Sequence, residues 1–333
     1  MALRFGRWLA FFLAPIAFGL WPMSAWAAPF WPVSALTTQA RSIQWLFWLV
    51  MTIAMVLLFG VLAALLFVAV RFRARPGQPD PRPNYGNVRV ELWWTVIPFA
   101  TLVAVFGFML RTVNDDTSIA SNALPVTLVG HQWWWEFRYP QSVVAANELH
   151  VPVGRQVRLD LQSADVVHNF WVPQLAGKEE MVPGQSNVWT FTAEQPGRYD
   201  GACSEYCGTQ HGWMRLTVIA DAPQDFDTWL AAQAQPPASG IAAAHQPALQ
   251  LYASNACGGC HTIQGISDGK VAPDLTHIGS RTTIAAGELA NTPDNMARWM
   301  ADPQTIKPGS FMPNFHFTQE QAREMAALLE DLK

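Results

Sequence analysis

Cys203-Ser204-Glu205-Tyr206-Cys207-Gly208-Thr209-Gln210-His211-Gly212-Trp213-Met214 brings two thiols, an imidazole and a thioether within twelve residues. A second imidazole, His168, lies 35 residues before Cys203, in Asp165-Val166-Val167-His168-Asn169-Phe170-Trp171-Val172-Pro173. Soft sulfur combined with imidazole is a ligand set that favours copper. Two other readings compete: a disulfide between exported cysteines, and a structural Cys2His2 zinc site. The zinc site has no use for Met214, and the disulfide has none for His168 or His211. Around this stretch, residues 124–219 hold short β-rich runs at 125–129, 133–139, 156–162, 187–192, 198–202 and 213–219. Gly154, Pro183-Gly184 and Pro196-Gly197 punctuate them as turns. Short strands at this density predict a sandwich or Greek-key barrel.

Toward the N-terminus the character changes. The 333 residues carry a net charge of -4, but residues 1–111 hold nine Arg against Asp80 and Glu91, and residues 112–333 hold twelve Lys and Arg against 23 Asp and Glu. The halves are therefore +7 and -11. Half the chain is hydrophobic and only 14% is charged, which excludes a disordered chain and points to membrane contact plus packed domains. No basic stretch carries interleaved aromatics, so no nucleic-acid partner is expected. Arg4 and Arg7, an apolar run at 8–23 and Ala25-Trp26-Ala27 read as a signal peptide over 1–27. A transmembrane hairpin over 28–111 follows, with spans at about 43–70 and 92–110. Trp93 and Trp94 sit where aromatic rings prefer the headgroup layer. The connecting loop holds Arg71, Arg73, Arg75, Arg82 and Arg89 against Asp80, so the positive-inside rule places it in the cytoplasm. Residues beyond 111 are then expected on the periplasmic side of a bacterial inner membrane.

Toward the C-terminus, residues 222–247 are rich in Ala, Gln and Pro and read as a semi-extended linker, with 225–230 as a short helical end before Gln235-Pro236-Pro237. A second exterior domain, 248–333, opens with Cys257-Gly258-Gly259-Cys260-His261, a C-x-x-C-H haem attachment pattern. Two thiols at this spacing add to the vinyl groups of one haem, and His261 reaches the iron. Lys307-Pro308-Gly309-Ser310-Phe311-Met312-Pro313 offers Met312 as the second axial ligand, and a Met/His pair raises the haem potential. Met296, Met300, Met325 and His316 are the competing candidates; Met296 and Met300 fall in a helical pattern with Trp299 and read as core, and Met325 lies on the last helix. Helical periodicity marks 248–256, 295–301 and 318–332, the last with Thr318 and Gln321 as a capping box. His131, His150, His245 and His277 have no ligand spacing.

C-S-E-Y-C-G-x-x-H-x-x-M preceded by H-x-F-W-V-P resembles the binuclear copper centre of cytochrome c oxidase subunit II, and the resemblance runs from about residue 40 to 220. The fused C-x-x-C-H domain is similar to the class I cytochrome c of the caa(3)-type haem-copper oxidases. The resemblance implies a multidomain membrane protein: a two-helix hairpin, a cupredoxin-like Greek-key β-barrel over 112–221 and an all-α cytochrome c. It implies that Cys203 and Cys207 bridge two copper ions, that His168 and His211 each bind one, and that Met214 sulfur and the Glu205 carbonyl are weaker ligands. The Glu205 side chain resembles a ligand of a magnesium at the subunit I interface, against an ordinary exposed glutamate as the alternative. Trp133, in Gly130-His131-Gln132-Trp133, stands at the family's electron entry point. Glu91 stands at the mouth of its proton path, or is simply a carboxylate favourable near a helix N-terminus. Pro273 would accept a hydrogen bond from His261, as in class I cytochromes c. Glu180 and Gln185 depart from the Asp and Arg usual in the family.

The function implied is electron input to a proton-pumping oxidase. Electrons would pass from a soluble or membrane cytochrome c, or an upstream cytochrome complex, through haem c and copper to subunit I, with subunit III as a further partner. This chain would hold no catalytic residue of its own. Two readings stand beside it: the copper subunit of a nitric oxide reductase, and a membrane-tethered electron carrier without catalytic partner. Glu91 and Glu205 favour the oxidase.

Overall fold

The computed structural model describes residues 35–333 except 78, 80–82, 84 and 117–118; the expected signal peptide 1–27, and Asp80 and Arg82 of the loop, lie outside the described residues. Two long apolar helices come first, α1 (Thr38–Arg71) and α2 (Val88–Asp116). At about 1.5 Å per residue α1 is roughly 51 Å long, well beyond the ~30 Å hydrocarbon core. The two expected spans fall inside these helices. Their side chains are exposed along most of both helices, as lipid-facing or partner-facing surfaces are, and Trp45 meets Phe108 edge-on at 5.2 Å. Pro98 is accommodated inside α2.

The start of α1 is fastened to the domain that follows. Thr37 caps the helix, its hydroxyl accepting from the Ala40 amide at 3.0 Å and donating to the Leu175 carbonyl. The Leu36 amide donates to the Gln174 carbonyl at 3.0 Å, and Arg41 pairs with Glu194 at 2.6 Å. Backbone bonds and a buried cap carry this attachment; an exposed ion pair adds only about 0–1 kcal/mol.

That domain is a two-sheet β-barrel of cupredoxin type. One sheet has the order β3-β2-β1-β5-β8 and the other β4-β10-β9-β6-β7. The strands are β1 (Leu124–His131), β2 (Trp134–Arg138), β3 (Val144–Ala146), β4 (Glu148–Pro152), β5 (Val157–Ser163), β6 (His168–Trp171), β7 (Glu179–Met181), β8 (Asn187–Phe191), β9 (Gly197–Cys203) and β10 (Arg215–Asp221). β1 pairs in parallel with β5, and β4 with β10; the other pairings are antiparallel. Period-2 alternation drives the burial: Leu124, Val126 and Leu128 of β1 and Val157, Leu159 and Leu161 of β5 face one core. β3, β4, β6 and β7 were absent from the expected strand set. They are short, and β6 and β7 carry His, Asn and Glu rather than β-branched runs.

In the linker the short helical end expected at 225–230 is present as part of a longer helix. Residues 223–233 form helix α3 (Pro223–Gln233), and a further helical turn spans Ile241–Ala244. Ala and Gln favour helix once an apolar stripe has somewhere to bind. Here Phe226 is buried in the barrel core, and Trp229 stacks on His150 at 4.1 Å.

The C-terminal domain packs α4 (Gln246–Ser254), α5 (Pro293–Ala301) and α6 (Gln319–Asp331) around one core that includes Met296, Met300 and Met325. Thr318 and Gln321 form the capping box on α6. This domain rests against the barrel rather than swinging free of it. The buried Glu148 carboxylate accepts from the amides and hydroxyls of both Thr282 and Thr283, with the Thr283 amide at 2.9 Å. Arg198 donates to the Thr282 hydroxyl at 2.7 Å, and His277 to the Gln235 carbonyl at 3.0 Å.

Replacing Phe226 by Ala should cost the barrel about 3–5 kcal/mol, the usual penalty for an aromatic lost from a core, and free α3. Denaturant unfolding followed by tryptophan fluorescence measures it; a change under about 1 kcal/mol would mean that α3 is not part of that core.

Candidate metal centre and haem site

The copper-type donors gather at one end of the β4-β10-β9-β6-β7 sheet. His168 opens β6, Cys203 closes β9, and Met214 immediately precedes β10. The Cys203 amide donates to the Met214 carbonyl at 3.0 Å, and the Ser204 amide to the Asn169 carbonyl at 3.0 Å. These bonds close the base of the 204–213 loop, so Glu205, Cys207 and His211 must return over the end of the sheet.

The result is a cluster built around two sulfurs. Cys203 Sγ and Cys207 Sγ are 3.7 Å apart. His168 Nδ1 is 3.9 Å from Cys203 Sγ, and His211 Nδ1 is 3.6 Å from Cys207 Sγ. Met214 Sδ lies 3.8 Å from Cys207 Sγ, and the Glu205 carbonyl 3.2 Å from Cys203 Sγ. Cys203, Cys207, His168 and Met214 are all buried, the last two completely. His168, Cys203 and Cys207 hold their ligand atoms within 4.8 Å of one another. The donor set fits copper: two thiolates, two imidazole nitrogens, one thioether and one carbonyl converge with no position left for substrate.

Proton affinity tells the same story. The hydrogen bond from Cys207 draws the Cys203 pKa down to about 3, against the cost of burial. The Cys207 thiol is pushed far up, first by the Cys203 thiolate and then by burial. The pair thus loses one proton easily and holds the second, so two buried thiolates require cations beside them.

Three neighbours set the ligand geometry. Asp165 Oδ1 is 2.8 Å from His168 Nε2, which turns Nδ1 toward the sulfurs. Burial opposes charge on Asp165, but bonds from His168 and from the Gln132 and Val166 amides override it and hold its pKa below the ordinary value. Gly130 of β1 gives the imidazole room: a Cβ there would lie 3.0 Å from His168 Cδ2. Gln132 donates through Nε2 to the Cys207 carbonyl at 2.7 Å. Residue-type spacing had not marked Asp165 or Gln132; the i,i+3 relation of Asp165 to His168 was the available signal.

Trp133 is half-buried at the edge of the cluster, and its indole Nε1 donates to the Cys207 carbonyl at 3.0 Å. Glu205 turns its carbonyl to Cys203 and is itself exposed. Glu91 lies at the other end of the molecule, in the first turn of α2, where its carboxylate accepts from the Asn87 amide at 3.1 Å. His131, His150 and His245 pair with Glu136, Asp221 and Asp331, each at 2.8 Å, away from the cluster.

In the C-terminal domain His261 Nδ1 donates to the Pro273 carbonyl at 2.7 Å, which leaves Nε2 as the free lone pair. Burial pushes its pKa down and favours the neutral ligand form. Gly269 is in tight contact with the attachment turn: a Cβ there would lie 2.6 Å from the Gly258 carbonyl. Cys257 and Met312 both pack on the domain core, whereas His316 is exposed in a left-handed turn at φ 55°. These residues fit a covalently held haem with His261 and Met312 as the axial pair.

Comparison with known proteins agrees with this organisation. The families described as cytochrome c oxidase subunit II transmembrane domain, cytochrome c oxidase subunit II periplasmic domain and cytochrome c match residues 24–111, 141–221 and 246–333. Cytochrome c oxidase subunit 2 of Alkalihalophilus pseudofirmus is 33% identical over 316 residues, covering 90% of this chain and 91% of its own. That of Bacillus subtilis is 30% identical over 289 residues, covering 80% and 81%. The solved periplasmic domain of subunit II of cytochrome oxidase (CoxB) from Bradyrhizobium japonicum is 27% identical and covers 35% of this chain and 96% of its own, with a TM-score of 0.34.

Asp165→Asn keeps the shape but removes the charge behind His168, so copper affinity should fall about 10- to 100-fold. A competitive chelator titration of the metal-free protein measures this, and unchanged affinity would assign Asp165 no part in orienting the ligand.

Proposed function

The chain belongs to the cytochrome c oxidase subunit II family, in a form with a cytochrome c domain fused behind the copper domain, and on that premise we propose how it carries electrons into its haem-copper oxidase. Cys203, Cys207, His168 and His211, with Met214 sulfur and the Glu205 carbonyl, would hold a binuclear copper centre, which would supply one-electron transfer. Convergence of the four other donors to within 3.2–3.9 Å of one or other of two sulfurs 3.7 Å apart is the observation that carries the reading. Two bridging thiolates let one electron spread over both metals, so geometry changes little on reduction. A closed ligand set suits electron transfer and leaves no place for substrate.

Haem c supplies a second one-electron site when bound through Cys257 and Cys260. His261 and Met312 would hold its iron, with the Pro273 carbonyl fixing the His261 ring. The chain's own residues do the rest: Asp165 orients His168, Gly130 admits its ring, and Trp133 couples to Cys207 through the indole hydrogen bond as the electron entry residue. The donor is a cytochrome c or an upstream cytochrome complex, and the -11 charge of residues 112–333 steers a basic one, an effect that salt weakens.

Oxygen is reduced to water in subunit I, which also pumps protons; α1 and α2 supply the apolar faces toward it, and subunit III completes the complex. Glu91 serves the mouth of the proton path, and the exposed Glu205 carboxylate is placed to hold magnesium at the subunit I interface. The assembly lies in a bacterial inner membrane, with both redox domains on the periplasmic side.

Metal analysis and electron paramagnetic resonance of the full chain, produced where haem c is attached, test the reading. Two coppers sharing one unpaired electron plus one covalent haem are expected; one zinc, or an oxidised Cys203–Cys207 pair, would overturn it. In the same preparation Met312→Ala should lower the haem potential and slow electron entry while copper spectra stay unchanged. Retained haem ligation in that variant would shift the axial role to His316.

A further inference from the structure

Resting on that reading, we infer that Phe311 is the contact through which the fused cytochrome hands its electron to the copper domain, its ring packing at a tilt on Trp133 so that the chain's own cytochrome occupies the entry site. Phe311 immediately precedes Met312. Its ring centroid lies 4.7 Å from that of Trp133, at an interplanar angle of 34°. Trp133 in turn donates from Nε1 to the Cys207 carbonyl at 3.0 Å. From the axial methionine to a bridging sulfur, the route is backbone to Phe311, one ring contact, the indole, one hydrogen bond and the Cys207 side chain. Only two steps are not covalent.

The contact belongs to a built seat. Lys307 is 4% exposed, and its Nζ donates to the Trp213 carbonyl at 3.1 Å. The fully buried Gln210 donates from Nε2 to the Pro308 carbonyl. Gly309, at φ 85°, lets the backbone pass over Thr209, whose Cγ2 would lie 3.0 Å from any added Cβ. Behind the loop Gln304 donates to the Ser310 and Met312 carbonyls at 2.9 and 2.7 Å and accepts from the Gly309 amide at 3.0 Å. The loop is thus braced from its own domain and bonded across to the 209–213 turn, with Phe311 between the two anchors. At the opposite edge Glu148 holds Thr282 and Thr283. Phe311 lies against the half-buried Trp133, so the chain's own cytochrome holds the entry position.

The step is a single-electron transfer: the haem iron goes from ferrous to ferric, the copper pair is reduced by one electron, and no bond or proton moves. Tunnelling falls exponentially with the gap, so the ring contact sets the rate without setting either potential.

The test uses the full, metal- and haem-loaded chain with Phe311→Leu and Phe311→Tyr. Internal transfer is timed after photoreduction of the haem; redox titrations and amide hydrogen exchange over 207–213 and 307–312 are read alongside. Phe311→Leu should slow internal transfer, because the aromatic bridge is lost and the gap to Trp133 widens. Potentials and metal content should stay unchanged, and Phe311→Tyr should transfer at the original rate. An undiminished rate in Phe311→Leu, or a Tyr variant as slow as Leu, would overturn the inference. The unmodified chain reports separately on the parent reading: absence there of the shared-electron copper signal, or of covalent haem, overturns that reading and this one with it.

Discussion

Two cysteine sulfurs held 3.7 Å apart in a buried pocket cannot both carry negative charge unless cations lie between or beside them. The rest of the copper domain serves that constraint. β9 and β10 deliver the ends of the ligand loop, and the Cys203–Met214 backbone bond holds those ends together. β6 brings His168 from the neighbouring strand, and Asp165 faces the far nitrogen of its ring. Disrupting any of these leaves a buried thiolate without compensation, which is more costly than losing a neutral contact.

The same cluster explains where the other parts of the chain sit. The α1 cap bonds to Leu175, in the loop that follows β6, so the membrane helix is tied to the segment leaving the strand that carries a ligand. On the opposite flank the 307–312 loop bonds to the 209–213 turn beside Met214. Membrane anchor and cytochrome therefore attach to different edges of one rigid barrel. An electron relay needs fixed separations between its centres, and a barrel core filled by Trp135, Phe137, Phe170 and Phe191 resists deformation between those edges.

Docking of the cytochrome also changes the meaning of the linker. A flexible tether raises effective concentration but leaves geometry open. Helix α3 instead uses Phe226 and Trp229 to extend the barrel core, and Glu148 grips two consecutive threonines with one carboxylate.

Much of the molecule was legible from the amino-acid order because the informative spacings are local. Cys203-x3-Cys207-x3-His211-x2-Met214 and Cys257-x2-Cys260-His261 place their chemistry within a few residues, and a span of apolar residues reports a membrane helix by length alone. The strands β1 and β5 announce themselves through alternation, whereas β3 is only three residues, β6 and β7 are short and rich in His, Asn and Glu, and all of them exist because neighbouring strands supply their partners. The linker was partly legible: 225–230 reads as helical from the sequence, but only the barrel surface gives Phe226 and Trp229 something to bind. Asp165 behind His168, Gly130 beside its ring, Glu148 on Thr282 and Phe311 on Trp133 join residues that are close only after folding. Ligand identity was thus written locally, because a metal or haem selects donor types. Ligand orientation, domain docking and the contact between the two redox domains were decided by tertiary structure, because each depends on distances between segments that the chain order leaves free.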